Sequence, residues 1–108
     1  MSSQGKMKWQ GQFGSYEYEV YPIDQEFKDV PGNYIFAKQD AFGRWVPQYM
    51  GQTQSLADRL RHHEKEVCAK RNGATHIHAH ANRNESSRLI EEKDLVSKWK
   101  PCCNVLLK

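Results

Sequence analysis

Apolar and polar positions first alternate at Tyr16-Glu17-Tyr18-Glu19-Val20. A period of two places Tyr16, Tyr18 and Val20 on one buried face of a strand whose other face is wet. Pro22 ends that strand, because proline cannot donate to a ladder. The first eight residues carry no such pattern and read as a loose tail. Residues 1–30 are therefore expected to hold a tail and an extra strand, ahead of a domain over 31–108. Pro31-Gly32 marks a turn. Asn33-Tyr34-Ile35-Phe36-Ala37 is a short run of strand formers, and Trp45-Val46-Pro47-Gln48-Tyr49-Met50 is its hairpin return. Pro47 inside the return places that strand at a sheet edge.

Beyond Gly51 the period changes. Ser55 is an N-cap, with Asp58 at the third helical position, and one helix is expected from Leu56 to about Ala69, stopping at Asn72-Gly73. Leu56, Leu60 and Val67 mark its apolar stripe, with His63 inside the stripe and Arg59 at its margin. Ala74 to His80 is a further strand. Asn84 caps a last helix, Glu85 to about Lys98, and Pro101 lies just past its end. The element order describes an α+β domain with a small, mostly antiparallel sheet flanked by helices.

In the last helix Leu89, Val96 and Trp99 share a face, and Glu92 sits among them. Glu91, rotated about 100° away, is expected to face water. A carboxylate near a core must be paired, bind a metal or carry a raised pKa. The ordinary partner would be Arg88, one turn earlier. Arg59, His63 and Glu92 thus aim polar groups at one sheet, which points to a site.

His76, His78 and His80 alternate along their strand and share one face. At a rise of ~3.3 Å per residue they span roughly 13 Å, too far for one ion to take all three. The adjacent pair Cys102-Cys103 lacks the Cys-x2-Cys spacing of a zinc knuckle. The histidines are therefore expected to form an exposed, partly basic face. A zinc protein stays as a third, weaker reading.

The 108 residues make one domain's worth of chain. The mean hydropathy is low, at -0.88, but 11% of the residues are aromatic, enough to build a core. Apolar runs are too short for a membrane span, and no secretory signal follows the N-terminus. Three cysteines are an odd number, so Cys68, Cys102 and Cys103 are expected as reduced thiols in a cytoplasmic protein. The net charge is +3. Residues 1–30 lean acidic and the remainder leans basic, which is compatible with a polyanionic partner without requiring one.

Gly32-Asn33-Tyr34 followed by Tyr49-Met50-Gly51 resembles the paired signatures of the GIY-YIG nuclease superfamily. Asn33 and Met50 depart from the isoleucines of the name. Arg59 follows Gly51 by eight residues and His63 follows Arg59 by four, as in the family's helix. Glu92, and then Pro101-Cys102-Cys103-Asn104, is similar to the family's glutamate and its late Pro-x-x-Asn. The resemblance covers residues 31–104. It implies three antiparallel strands with the first of them central, and cleavage of DNA phosphodiesters with Mg²⁺ or Mn²⁺. It implies that Glu92 holds the metal and that Arg59 stabilises charge on the phosphate. Tyr34 or Tyr49 would help activate water, His63 would relay a proton or orient a tyrosine, and Asn104 would support the site. A lone catalytic module implies an enzyme that reads DNA structure, or one helped by a protein partner or a second copy. The alternative is a non-catalytic nucleic-acid-binding domain that keeps the fold.

Overall fold

The computed structural model describes residues 3–104. It contains strands β1 (Lys6–Gln10), β2 (Ser15–Pro22), β3 (Gly32–Gln39), β4 (Trp45–Thr53) and β5 (His76–Ala81). Helices α1 (Leu56–Arg61), α2 (Glu66–Arg71) and α3 (Glu85–Trp99) and a final 3-10 turn, Cys102–Asn104, complete it. The strands form one antiparallel sheet in the order β1-β2-β5-β3-β4. Among β4, β3 and β5 the middle strand is β3, as the resemblance implied.

β4 lies at the edge, as Pro47 requires. Phe36 pairs with Tyr49 and Ala37 with Pro47, so Gln48 is the extra residue of a bulge. A bulge on an edge strand is where a proline costs no ladder bond. At the other edge the structure departs from the sequence reading. Lys6–Gln10 is not a loose tail but strand β1, paired with β2 and burying Trp9 completely.

Both faces of the sheet are covered, which is why the alternation in β2 is incomplete. Tyr18 is buried on one face with Trp9, Ile35, Ala37, Met50 and Leu95, beneath α3. Tyr21 is buried on the other with Tyr34, Phe36, Ile77 and Ala79, beneath α1 and α2.

The single helix expected over residues 56–69 is two. Ser55 caps α1, its side chain accepting from the Asp58 amide, but the helix ends at Arg61. His63 Nδ1 then accepts from the Lys65 amide at 2.9 Å, giving the chain a local alternative to the helical bond. The break keeps His63 buried and turns Val67 outward, where it is 64% exposed. α2 stops before Gly73, whose φ of 98° suits glycine.

Helix α3 starts at the Asn84 cap, which accepts from the Ser87 amide. Its buried line is Arg88, Glu91 and Leu95, with Asp94 beside it, whereas Leu89 and Trp99 are partly exposed. Glu91 therefore faces the sheet and not water. The sheet face beneath it is polar: Tyr18 Oη donates to Glu91 Oε2 at 2.5 Å, and His80 Nε2 meets the same oxygen at 2.7 Å. Asp94 accepts from the Phe13 and Gly14 amides and the Tyr16 hydroxyl, pinning the β1–β2 turn. The three histidines do share one face, but it is not exposed. His78 is fully buried, its Nδ1 accepting from Trp9 Nε1 at 2.9 Å, and His76 and His80 are half-buried.

The cysteines also differ from expectation. Cys68 and Cys103 form a disulfide between α2 and the final turn, leaving Cys102 free. No helix is long and apolar enough to cross a membrane among the described residues.

Candidate functional site

The candidate residues converge on the hydroxyl of Tyr34. Period two in β3 sends Tyr34 and Phe36 to the α1/α2 face. Tyr34 pairs with Gly51 across β3 and β4, and a Cβ at Gly51 would lie 2.6 Å from the Tyr34 hydroxyl. The glycine of the second signature is thus a space requirement. Tyr49, two residues earlier, stacks on Tyr34 with ring centroids 6.1 Å apart. Tyr34 is buried, whereas Tyr49 is half-buried.

His63 closes the third side. Its Nε2 lies 2.6 Å from Tyr34 Oη, and its ring packs 4.9 Å from that of Tyr49. The tautomer follows from the backbone. The Lys65 amide can only donate, so Nδ1 is the acceptor and the proton of a neutral ring sits on Nε2. Burial, and then the nearby Arg59 charge, lowers the His63 pKa to about 4, so the neutral ring is the resting form. His63 therefore donates to Tyr34 Oη, and the tyrosine's own proton is free to point into the site.

Arg59 approaches Tyr34 from α1. Its charge pulls the Tyr34 pKa down, but burial pushes harder and the net shift is strongly upward. Tyr49 is raised for the same first reason, burial, followed by the negative charge of Glu92. Arg59 Nη1 and Nη2 form a fork with the Glu64 carboxylate at 2.7 and 2.8 Å. That fork holds Glu64 down at about 2. Outside that fork Arg59 has its Nε–H and outer Nη protons, and the guanidinium also reaches the Tyr34 hydroxyl.

Glu92 arrives from α3. It is half-buried, and burial raises its pKa. The expected ion pair with Arg88 does not form. Arg88 Nε donates to Gln52 Oε1 and its Nη1 to the Asn82 carbonyl, both at 2.9 Å. Among the described residues the Glu92 carboxylate has no hydrogen-bond or salt-bridge partner. A half-buried carboxylate left in that state is suited to a cation. Among the described residues no three His, Cys, Asp or Glu side chains converge. A hard ion such as Mg²⁺ commonly takes one or two carboxylates and completes its shell with water and substrate oxygens, a demand that the single Glu92 carboxylate could meet.

Asn104 is brought to the same strand from outside. Its Oδ1 accepts from the Met50 amide at 2.7 Å and its Nδ2 donates to the Met50 carbonyl at 2.9 Å. The carboxamide thereby pairs with the free edge of β4, next to Tyr49.

The structure thus brings Tyr34, Tyr49, Arg59 and His63 together, with Glu92 near enough for its charge to act on both tyrosines, and ties Asn104 to the strand that carries Tyr49. Sequence reasoning missed Glu64, which takes the fork of Arg59, and the set formed by buried Tyr18 and Glu91 with half-buried His80. The only sequence signal for the latter was polar residues at core-facing positions of β5 and α3.

No protein-family model and no curated protein sequence matches the chain. Solved structures do match. The GIY-YIG N-terminal endonuclease domain of UvrC from Thermotoga maritima, bound to magnesium, superposes with a TM-score of 0.58 at 30% identity. That match covers 72% of this chain and 86% of the other. A point mutant of the same domain bound to its catalytic divalent cation gives 0.59 at 30% identity, over 73% of this chain and 87% of that one. With that identity over most of a solved GIY-YIG domain, the chain belongs to the GIY-YIG superfamily.

Proposed function

We propose that this chain is a divalent-metal-dependent endonuclease that hydrolyses DNA phosphodiester bonds. The observation that carries the reading is the Glu92 carboxylate, half-buried, without a partner among the described residues, and close enough for its charge to act on Tyr34 and Tyr49. Glu92 would hold Mg²⁺ or Mn²⁺. The ion, when bound, would polarise the phosphate and favour the deprotonated forms of the oxygens around it.

The remaining work falls to the chain's own residues. Hydrolysis forms a bond from water oxygen to phosphorus and breaks the bond to the leaving alkoxide, with negative charge growing on the phosphoryl oxygens. Arg59 offers its Nε–H and outer Nη protons to that charge, and Glu64 fixes the plane of the guanidinium. Once its own proton has passed to solvent, Tyr34 is the group best placed to take the water's proton, because His63 Nε2–H and Arg59 both stabilise negative charge on its oxygen. The leaving alkoxide takes a proton from solvent. Burial holds the Tyr34 proton more firmly than in a free tyrosine, so its release is the event a bound cation would assist. Tyr49, half-buried and so partly accessible, steers the phosphate. Asn104 fixes the β4 edge that carries Tyr49.

The test is cleavage of labelled single-stranded, duplex, flap and branched DNA with Mg²⁺ or Mn²⁺, comparing wild type with Glu92→Ala and Arg59→Ala. The expected result is metal-dependent cutting that vanishes in Glu92→Ala and falls by about 10²–10³-fold in Arg59→Ala, the scale of losing one charge-stabilising donor. DNA binding without cutting by folded wild type would replace the enzyme by a non-catalytic binding domain.

A further inference from the structure

Two arms of the candidate site end on sulfur. The first runs from His63 through Lys65 into α2, which carries Cys68. The second is the final turn, where Cys103 immediately precedes Asn104. The disulfide Cys68–Cys103 joins them across 35 residues of sequence, with Cα atoms 6.0 Å apart. Asn104 in turn grips the Met50 amide and carbonyl on the free edge of β4, one residue from Tyr49. A third sulfur lies alongside. Cys102 Sγ is 3.8 Å from Cys103 Sγ and donates to Gln48 Oε1 at 3.1 Å, at the β4 bulge.

We infer that Cys68–Cys103 is a reversible redox-modification site whose substrate is a dithiol reductant, and that its state sets how firmly Asn104 holds β4. This rests on the reading of Asn104 as a support of the nuclease site. The accessible end is Cys68, which is half-buried, whereas Cys103 is 3% exposed. A thiolate of the reductant attacks Cys68 Sγ and forms a mixed disulfide, expelling the Cys103 thiolate. The reductant's second sulfur, as thiolate, then attacks its own sulfur in that mixed disulfide and releases Cys68. Two electrons and two protons pass to the chain, and the reductant leaves as its disulfide. Reoxidation by a disulfide of the same class reverses each step.

The consequence is local. Once the bond opens, the final turn loses its covalent tie to α2, and among the described residues its side-chain hydrogen bonds to β4 are the Asn104 pair and the Cys102 thiol on Gln48. Asn104 must then hold Met50 without a covalent tie to α2, and a short turn tethered by few bonds opens more readily than the strands beside it. The oxidised form is therefore the tight one and the reduced form the loose one. The three cysteines cannot all pair, so one thiol stays free in the oxidised form. That odd count, which by itself speaks for reduced thiols, is here the signature of a pair plus a neighbour.

The experiment uses the full chain, oxidised and then equilibrated with dithiothreitol. Alkylation counted by mass should label one cysteine before reduction and three after it. Hydrogen exchange should show the Met50 amide losing protection at least tenfold on reduction, with β1, β2 and β5 unchanged. Cleavage should fall several-fold and return on reoxidation. Cys68→Ser should match the reduced wild type without reductant, and Cys102→Ser should keep the response. Three labelled thiols without reductant, or a Met50 amide indifferent to reduction, would overturn the inference. So would uniform loss of protection, which marks a plain structural staple. A Met50 response with no cleavage in either state would support the redox clasp and overturn only the nuclease reading.

Discussion

His78 shows how much a single buried side chain can decide. Its Nδ1 accepts from Trp9, its Nε2 has no partner, and its ring meets the Trp45 ring edge-on at 4.5 Å. Burial, and then the neighbouring His76, lowers its pKa to about 3, below the 6.5 of an unfolded histidine. The sign follows directly. Between those values the unfolded chain binds the proton and the folded chain does not, so stability falls as pH drops below about 6.5. His63, lowered to about 4, acts in the same direction. Glu92, raised by burial, acts in the opposite one. Each fully titrating histidine contributes a slope of up to about 1.4 kcal/mol per pH unit. Urea unfolding of wild type should therefore show a midpoint that drops between pH 6.5 and 4.5. His78→Gln keeps an acceptor for Trp9 but does not titrate, so about half of that drop should disappear. An unchanged slope in His78→Gln would assign the acid loss to other groups.

Elements place the site more strictly than single residues do, and the β3–β4 pair is the clearest case. Tyr34 faces Gly51, and the absence of a side chain there makes room for the Tyr34 hydroxyl and the flank of Tyr49. Gly51→Ala would put a methyl 2.6 Å from Tyr34 Oη and 2.9 Å from the Tyr49 ring. Overpacking of this kind costs about 1–3 kcal/mol. Cleavage should fall further than stability does, by about 100-fold, since both rings must move and a misplacement near 1 Å is that costly. Denaturant titration and cleavage rates on the same preparation would check it, and wild-type rates with unchanged stability would show that the tyrosines have room to spare.

These strands were legible in the sequence because each carries its own signals: Pro31-Gly32 before β3, Pro47 on the edge and Gly51 at the crowded position. Helix breaks and helix faces were harder to read. The α1–α2 interruption depends on a backbone bond to His63, and no periodicity records that bond. The rotation of α3 depends on Tyr18 and His80 offering Glu91 partners from distant strands, which turns a polar residue inward against the usual rule. The disulfide was hidden for a similar reason, since a count of three cysteines says nothing about which two meet.

At the scale of the whole molecule the N-terminal hairpin is part of the core. β1 and β2 close one edge of the sheet, cover His78 with Trp9 and give Glu91 its tyrosine partner. The residues carrying the family resemblance begin only at Gly32, so removing residues 1–22 tests whether they fold alone. Four buried side chains would go: Trp9, Tyr18, Val20 and Tyr21. At roughly 1.5–3 kcal/mol each, that loss is comparable to the whole stability of a typical domain, about 5–15 kcal/mol. β5 would become an exposed edge and Glu91 a buried carboxylate without its tyrosine. The disulfide closes a 35-residue loop and contributes about 4 kcal/mol by the chain-entropy argument. It ties α2 to the C-terminal turn, at the other side of the sheet, and replaces none of these contacts. The truncated chain is therefore expected to be unfolded or aggregated even when oxidised, with no cooperative thermal transition by circular dichroism. A cooperative transition within a few degrees of wild type would show that β3, β4 and β5 with their helices suffice. The N-terminal strands would then be a surface the domain carries and not one it needs.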